Sequence, residues 1–305
     1  MESGTPTRAS GISSKQTKAE GIMRIKCWGS RGSIPVSGAE YLKYGGDTTC
    51  MEIQAESGEI IIVDAGTGIR RLGNHLMKKN ILKYHFIFTH AHWDHLIGFP
   101  FFKPLYSKDA ELHMHRCPFQ KSFLETMLSK VMTPPNFPVR YADIRAKIEY
   151  EKACPSRFQI GSVSVIPIPI CHPNSGSGYM FIENDSKFVF LTDNELGYIH
   201  PGGLTFDAYR QFCEGADLLI HDAEYTPEEY QTTIEWGHSV YTDVLNLGVQ
   251  AGVKRLGLFH INQERTDMQM DAIVADCNCR LHEQGSSITC FAVAKDMVFE
   301  TNRIY

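Results

Sequence analysis

The segment Thr89-His-Ala-His-Trp-Asp-His95 places three imidazoles and a carboxylate within six positions, directly after the apolar run Tyr84–Phe88. On an extended strand, side chains two apart share a face, so His90 and His92 can converge on one ion. Asp94 and His95 fall where the strand gives way to a turn or helix start and point elsewhere, toward a second ion. A polar loop of satisfied histidines is the alternative, but nitrogen and oxygen donors seldom crowd so densely without a metal.

The 305 residues, 43% of them hydrophobic, suffice for one large buried core or two smaller ones. Residues 1–22 are rich in Ser, Thr, Gly and Lys and lack an apolar run, which predicts a disordered tail with Met23 as a candidate natural start. No window is apolar enough to span a membrane, so a cytoplasmic protein is expected. Nine scattered cysteines agree, reading as reduced thiols rather than a disulfide framework. The net charge of −5 disfavours a partner gripped by charge alone, such as long nucleic acid, but not a small phosphorylated substrate.

Short β-branched runs predict strands at Met23–Trp28, Cys50–Gln54, Ile60–Asp64, Tyr84–Thr89, Val163–Ile170, Tyr179–Glu183, Phe188–Thr192, Asp217–His221, Arg255–His260 and Ile288–Ala294. Helical spacing with caps predicts helices over Thr67–Lys79, Thr205–Glu214, Thr242–Ala251 and Thr266–Glu283. The order implies helix-covered sheets in one α/β unit over 23–305. Pro104, Pro118, Pro134, Pro135, Pro138 and Pro155 interrupt Phe99–Phe158, which reads as an insertion of about 99–158 lying over the site.

Further metal-ligand types stand at later strand ends: His172, Asp193 and His260. Together with His90–His95 they resemble the signature of the metallo-β-lactamase superfamily, His-x-His-x-Asp-His followed by a distant His, Asp and His. The resemblance covers roughly Met23 to Tyr305 and implies a four-layer αβ/βα sandwich with a binuclear site at one edge of the sheets. It assigns His90, His92 and His172 to a first metal, Asp94, His95 and His260 to a second, and Asp193 to both. Two divalent ions are implied, zinc by default from the imidazole-rich ligation, with manganese or iron as competitors.

Trp28-Gly-Ser-Arg-Gly-Ser-Ile-Pro35, Gly45-Gly-Asp-Thr-Thr-Cys50, Asp64-Ala-Gly-Thr-Gly68, Leu219-Ile-His-Asp-Ala223 and Trp236-Gly-His-Ser239 are similar to the branch containing ribonuclease Z and cyclic phosphodiesterases. That likeness implies that His238 reaches in beside the metals, oriented by Asp222; with Asp94 these are the residues expected to carry catalysis. It also implies Asp64 as a partner of a ligand histidine. The expected activity is hydrolysis of a small phosphodiester or cyclic nucleotide. The alternatives are a lactonase or thioesterase, or a non-catalytic sensor of nucleotide or metal. The long Gly/Pro-rich arm that ribonuclease Z uses to hold tRNA has no counterpart, and relatives leave a homodimer possible. His113 and His115 read as surface or packing residues without a carboxylate, His200 as a turn residue, His221 as packing beneath Asp222, and Arg31, Lys103, Arg140, Arg145 and Arg265 as solvated or salt-bridged rather than phosphate-binding.

Overall fold

The computed structural model describes residue 1 and residues 23–300 other than 116, 118–120 and 152, so the expected tail at 2–22 lies outside the described residues. The first half of the chain runs β1 (Arg24–Gly29), β2 (Cys50–Gln54), β3 (Ile60–Val63), α1 (Ile69–Lys78), β4 (Lys83–Ile87), α2 (Trp93–Leu96), β5 (Glu111–Met114), α3 (Lys121–Val131) and β6 (Lys147–Tyr150). The second half runs β7 (Phe158–Ile160), β8 (Val163–Pro169), β9 (Ser177–Glu183), β10 (Ser186–Leu191), α4 (Phe206–Cys213), β11 (Leu218–Asp222), α5 (Pro227–Tyr230), α6 (Tyr241–Ala251), β12 (Arg255–Phe259), α7 (Asp267–Glu283), β13 (Thr289–Ala292) and β14 (Val298–Glu300). Two seven-stranded sheets result, ordered β14-β1-β2-β3-β4-β5-β6 and β13-β12-β11-β10-β9-β8-β7.

Alternation along the strands explains the layering. Ile61 and Val63 of β3 point into a core shared with Phe188 and Phe190 of β10, whereas Ile60 and Ile62 pack outward with Leu72 and Leu76 of α1. On the second sheet Val189 and Leu191 face outward to a cluster that includes Val244 of α6 and Met270 of α7. Strands apolar on both faces must be covered on both, and the outcome is the expected αβ/βα sandwich. Each large apolar side chain buried this way stabilises the fold by about 1.5–3 kcal/mol. Helix starts follow local chemistry: Thr266 and Gln269 form a reciprocal capping box at α7, and Thr205 caps α4.

Three sequence expectations need correction. The Phe99–Phe158 stretch, expected as an irregular segment broken by prolines, supplies β5 and β6, which run parallel beside β4. Its short polar–apolar alternations, Glu111-Leu-His-Met and Lys147-Ile-Glu-Tyr, were masked by the surrounding prolines. Cys117 and Cys154 form a disulfide across 37 positions, a pairing that spacing alone does not reveal. The other seven cysteines are free. His113 does have carboxylates, Glu111 at 3.0 Å and Glu149 at 3.5 Å, because strand register sets β6 beside it. Among the described residues no helix is long and apolar enough to cross a membrane.

Candidate metal centre

The ends of four strands and the loops after them converge at one edge of the two sheets. The runs expected to end at Asp64 and His260 stop one residue earlier, and Thr192 and Asp193 lie beyond β10, because Asp64, Asp193 and His260 adopt left-handed φ of 62°, 53° and 55°. That conformation costs a non-glycine residue about 1–3 kcal/mol and is kept where surrounding bonds over-determine it. Here it turns three buried side chains out of the strand direction and toward one another. Helix α2 buries Asp94 and His95 on its inner side.

Two donor sets lie within 4.8 Å internally: His90, His92, His172 and Asp193, and Asp94, His95, Asp193 and His260. All seven residues expected from the sequence are therefore brought together, with Asp193 common to both sets. A third group of the same compactness, Asp222, Glu224, His238 and His260, adjoins the second set. His260 Nε2 lies 3.1 Å from Asp94 Oδ2 and 3.3 Å from Asp193 Oδ1, and His95 Nε2 lies 3.2 Å from both Asp94 Oδ2 and Asp193 Oδ2.

The outer nitrogens are tied down. Asp64 Oδ2 sits 2.8 Å from His95 Nδ1 while also accepting the Thr89 hydroxyl at 2.7 Å. Thr89 Oγ1 lies 3.1 Å from His90 Nδ1, and Glu224 Oε2 lies 2.8 Å from His260 Nδ1. Such contacts fix ring orientation and tautomer so that Nε2 points inward. His92 is the least buried of the set, and its Nε2 accepts from the Asn174 side-chain amide at 2.8 Å.

The fit to a pair of cations rests on two observations. His90 Nε2, His95 Nε2, His172 Nε2 and Asp193 Oδ1 are buried without a hydrogen bond of acceptable geometry, and orphaned polar atoms of this kind call for an ion or water. Asp64, Asp94, Asp193, Asp222 and Glu224 are all buried, and their ion-pair partners among the described residues are histidines only. So much buried negative charge needs compensating positive charge. Burial pushes His172 down to about 3 and His90 well below the usual imidazole range, favouring the neutral form that binds metal. Burial would lower His95 and His260 as well, but facing carboxylates raise both.

His238 stands at the rim of the cradle, stacked on His260 with ring centroids 4.5 Å apart. Its Nδ1 lies 3.0 Å from Asp222 Oδ2 and 3.5 Å from Glu224 Oε2. Burial opposes protonation, yet the Glu224 and Asp222 carboxylates outweigh it and raise the group to about 9. The loop carrying it is held from below by Glu195, whose Oε2 accepts from Gly237 N at 2.8 Å and whose Oε1 accepts from Glu235 N at 2.9 Å and Tyr230 OH at 2.6 Å. Gly237 (φ 94°) has no room for a side chain: a Cβ there would meet the His172 ring at 2.3 Å.

Glu195 and Glu224 were missed by sequence reasoning, although Glu224 follows directly on Leu219–Ala223 and Glu195 lies two beyond Asp193. His200, expected as a turn residue, is buried against Glu195 at 2.7 Å. His221 packs as expected, its Nδ1 2.7 Å from the Asp222 carbonyl oxygen. Arg31 is buried and spans the carbonyl oxygens of Gly45, Asn262 and Arg265 at 2.9–3.0 Å, while Arg140 pairs with Asp143 at 2.8 Å. Neither is free for phosphate.

Residues 60–261 match the family model described as a beta-lactamase superfamily domain, and the chain belongs to that superfamily. It is 25% identical over 255 residues to a ribonuclease Z of Metallosphaera sedula, a match covering 69% of this chain and 81% of that protein. Its fold is similar to the metallo-beta-lactamase fold protein YhfI from Bacillus subtilis (TM-score 0.66, 16% identity, 92% of this chain and 99% of that one). It is also similar to a diphosphatase from the PhnP family (TM-score 0.64, 17% identity, 92% and 97%).

Proposed function

We propose that the chain is a binuclear metal-dependent phosphodiesterase. In this reading His90, His92 and His172 hold one divalent ion, Asp94, His95 and His260 hold the other, and Asp193 serves both; zinc suits the imidazole-rich donors best. The chemistry such a pair supplies when bound is activation of water, whose pKa falls to about 7, and neutralisation of charge on a phosphoryl oxygen. The observation that carries the reading is the Asp222–His238 pair standing against His260 at the edge of the donor sets. With Nδ1 committed to Asp222, the imidazole keeps Nε2 for a proton that the departing alkoxide takes up. Carboxyl esters need less help of that kind, so the pair favours a phosphodiester over a lactone or thioester.

A small substrate, a phosphodiester or cyclic nucleotide, agrees with the net charge of −5. RNA is a second reading, favoured by curated relatives named ribonuclease Z, and these weigh against the expectation that disfavours long nucleic acid. The test is metal analysis of the purified protein, coupled to turnover of methyl 4-nitrophenyl phosphate, the 4-nitrophenyl ester of thymidine 5′-monophosphate, a lactone and a structured RNA. Two ions per chain and preferential cleavage of the small phosphodiesters support the proposal. Preference for the lactone, or a folded protein that takes up no metal, overturns it, and preference for RNA installs the second reading.

A further inference from the structure

The single turn of α2 that buries Asp94 and His95 sends Trp93, between them and His92 in the chain, into solvent at 74% exposure. Phe101 is 54% exposed nearby. Both line a hollow of about 810 Å³ with Phe137, Lys130 and Asn136, and Phe137 meets Phe101 edge-to-face at 5.5 Å. A smaller hollow of about 170 Å³ shares Trp93 and Lys130. Trp93 has no ring or cation partner, and Lys130 no acidic partner, among the described residues. An open indole beside a cradle of buried ligands is an apolar surface with a use still to be assigned.

We propose that the Trp93–Phe101–Phe137 hollow is the subsite for the nucleobase of a nucleotide-type phosphodiester, an inference that rests on the phosphodiesterase reading of the adjoining centre. The walls supply what a base requires. Aromatic rings offer stacking faces, the Asn136 amide offers both a donor and an acceptor to the base edge, and Lys130 offers positive charge to a phosphate group. An acyl chain would use the rings but not these polar groups. The link to the metal centre is the chain itself: Trp93, on the outer side of α2, is flanked in sequence by His92 and Asp94.

The test uses the metal-loaded protein and two readouts. In the first, tryptophan emission is followed during titration with thymidine 5′-monophosphate and with ribose 5-phosphate. The base-bearing ligand is expected to bind at least tenfold more tightly, its signal to vanish in Trp93→Leu, and its affinity to fall about tenfold in Phe101→Ala, the size of a lost stacking contact. In the second, the ratio of kcat/KM for the thymidine 5′-monophosphate 4-nitrophenyl ester over methyl 4-nitrophenyl phosphate is expected to fall about tenfold in Phe101→Ala and in Asn136→Ala. Equal affinity for the two ligands, or an unchanged ratio in both variants, overturns the subsite. Selective binding through Phe101 by a protein that hydrolyses neither ester supports the subsite and overturns the phosphodiesterase reading instead.

Discussion

His238 Nδ1 lies 3.0 Å from Asp222 Oδ2, with Asp222 fully buried and His238 8% exposed, so the pair operates in a largely water-excluded setting. Asp222 Oδ1 also accepts from Glu224 N at 3.1 Å, which holds the carboxylate in place. The imidazole is thus oriented by a fixed partner.

Replacing His238→Ala is expected to leave two ions per chain and lower kcat about 10²–10⁴-fold, the range for a lost proton donor. Asp222→Asn should retain the ions and lose part of that factor. Metal analysis and steady-state kinetics on the same preparations check both, and loss of an ion from His238→Ala would place His238 among the ligands.

Because Asp193 belongs to both donor sets, Asp193→Ala should strip the protein of both ions, whereas His172→Ala should cost one. Chelation should abolish turnover and lower the melting temperature, since ions at thousandfold excess over Kd contribute about 4 kcal/mol to the folded state. Unchanged melting after complete removal of metal would contradict the charge argument for the cradle.

Gly237→Ala should weaken the first metal site, because its Cβ would collide with the His172 ring at 2.3 Å in a left-handed backbone. Gly32→Ala should weaken the second, since its Cβ would lie 2.3 Å from His260 Nδ1. Metal titration should show affinity falling about 10–100-fold at one site in each variant, as for other disturbed ligand supports.

Glu195→Gln leaves buried donors facing an amide that can accept at only one end. Stability should fall by about 1–3 kcal/mol, read as a lower denaturant midpoint at constant slope. Turnover should fall further than the loss of folded protein explains, because the His238 loop hangs on Gly237 N and Glu235 N.

Away from the centre, burial lowers His85 to about 4 and His115 to about 3, and His113 and Lys83 reinforce the shift at His85 as His85 and His113 do at His115. Both groups bind fewer protons folded than unfolded once the pH drops below about 6.5. Their stabilisation is therefore complete above that pH and is lost as the pH falls toward 4. Thermal melts between pH 7 and 4 should show this slope, and a His85→Gln/His115→Gln variant should flatten it.

Local sequence determined much of this protein. The ten predicted strands all appear, since alternation and β-branched runs report burial directly, and the seven ligand-type residues that the fold brings together at one edge were singled out by their resemblance to the superfamily signature. Tertiary structure decided the remainder. The left-handed turns at Asp64, Asp193 and His260 ended strands early; Glu195 and Glu224 gained their roles by packing beneath a loop about 40 residues away in sequence and a strand-end histidine; Cys117 found Cys154; and register set Glu149 beside His113. A chemical type can be read from one residue, whereas the partner that orients it depends on chain segments distant in sequence that meet only when the sheets close on each other.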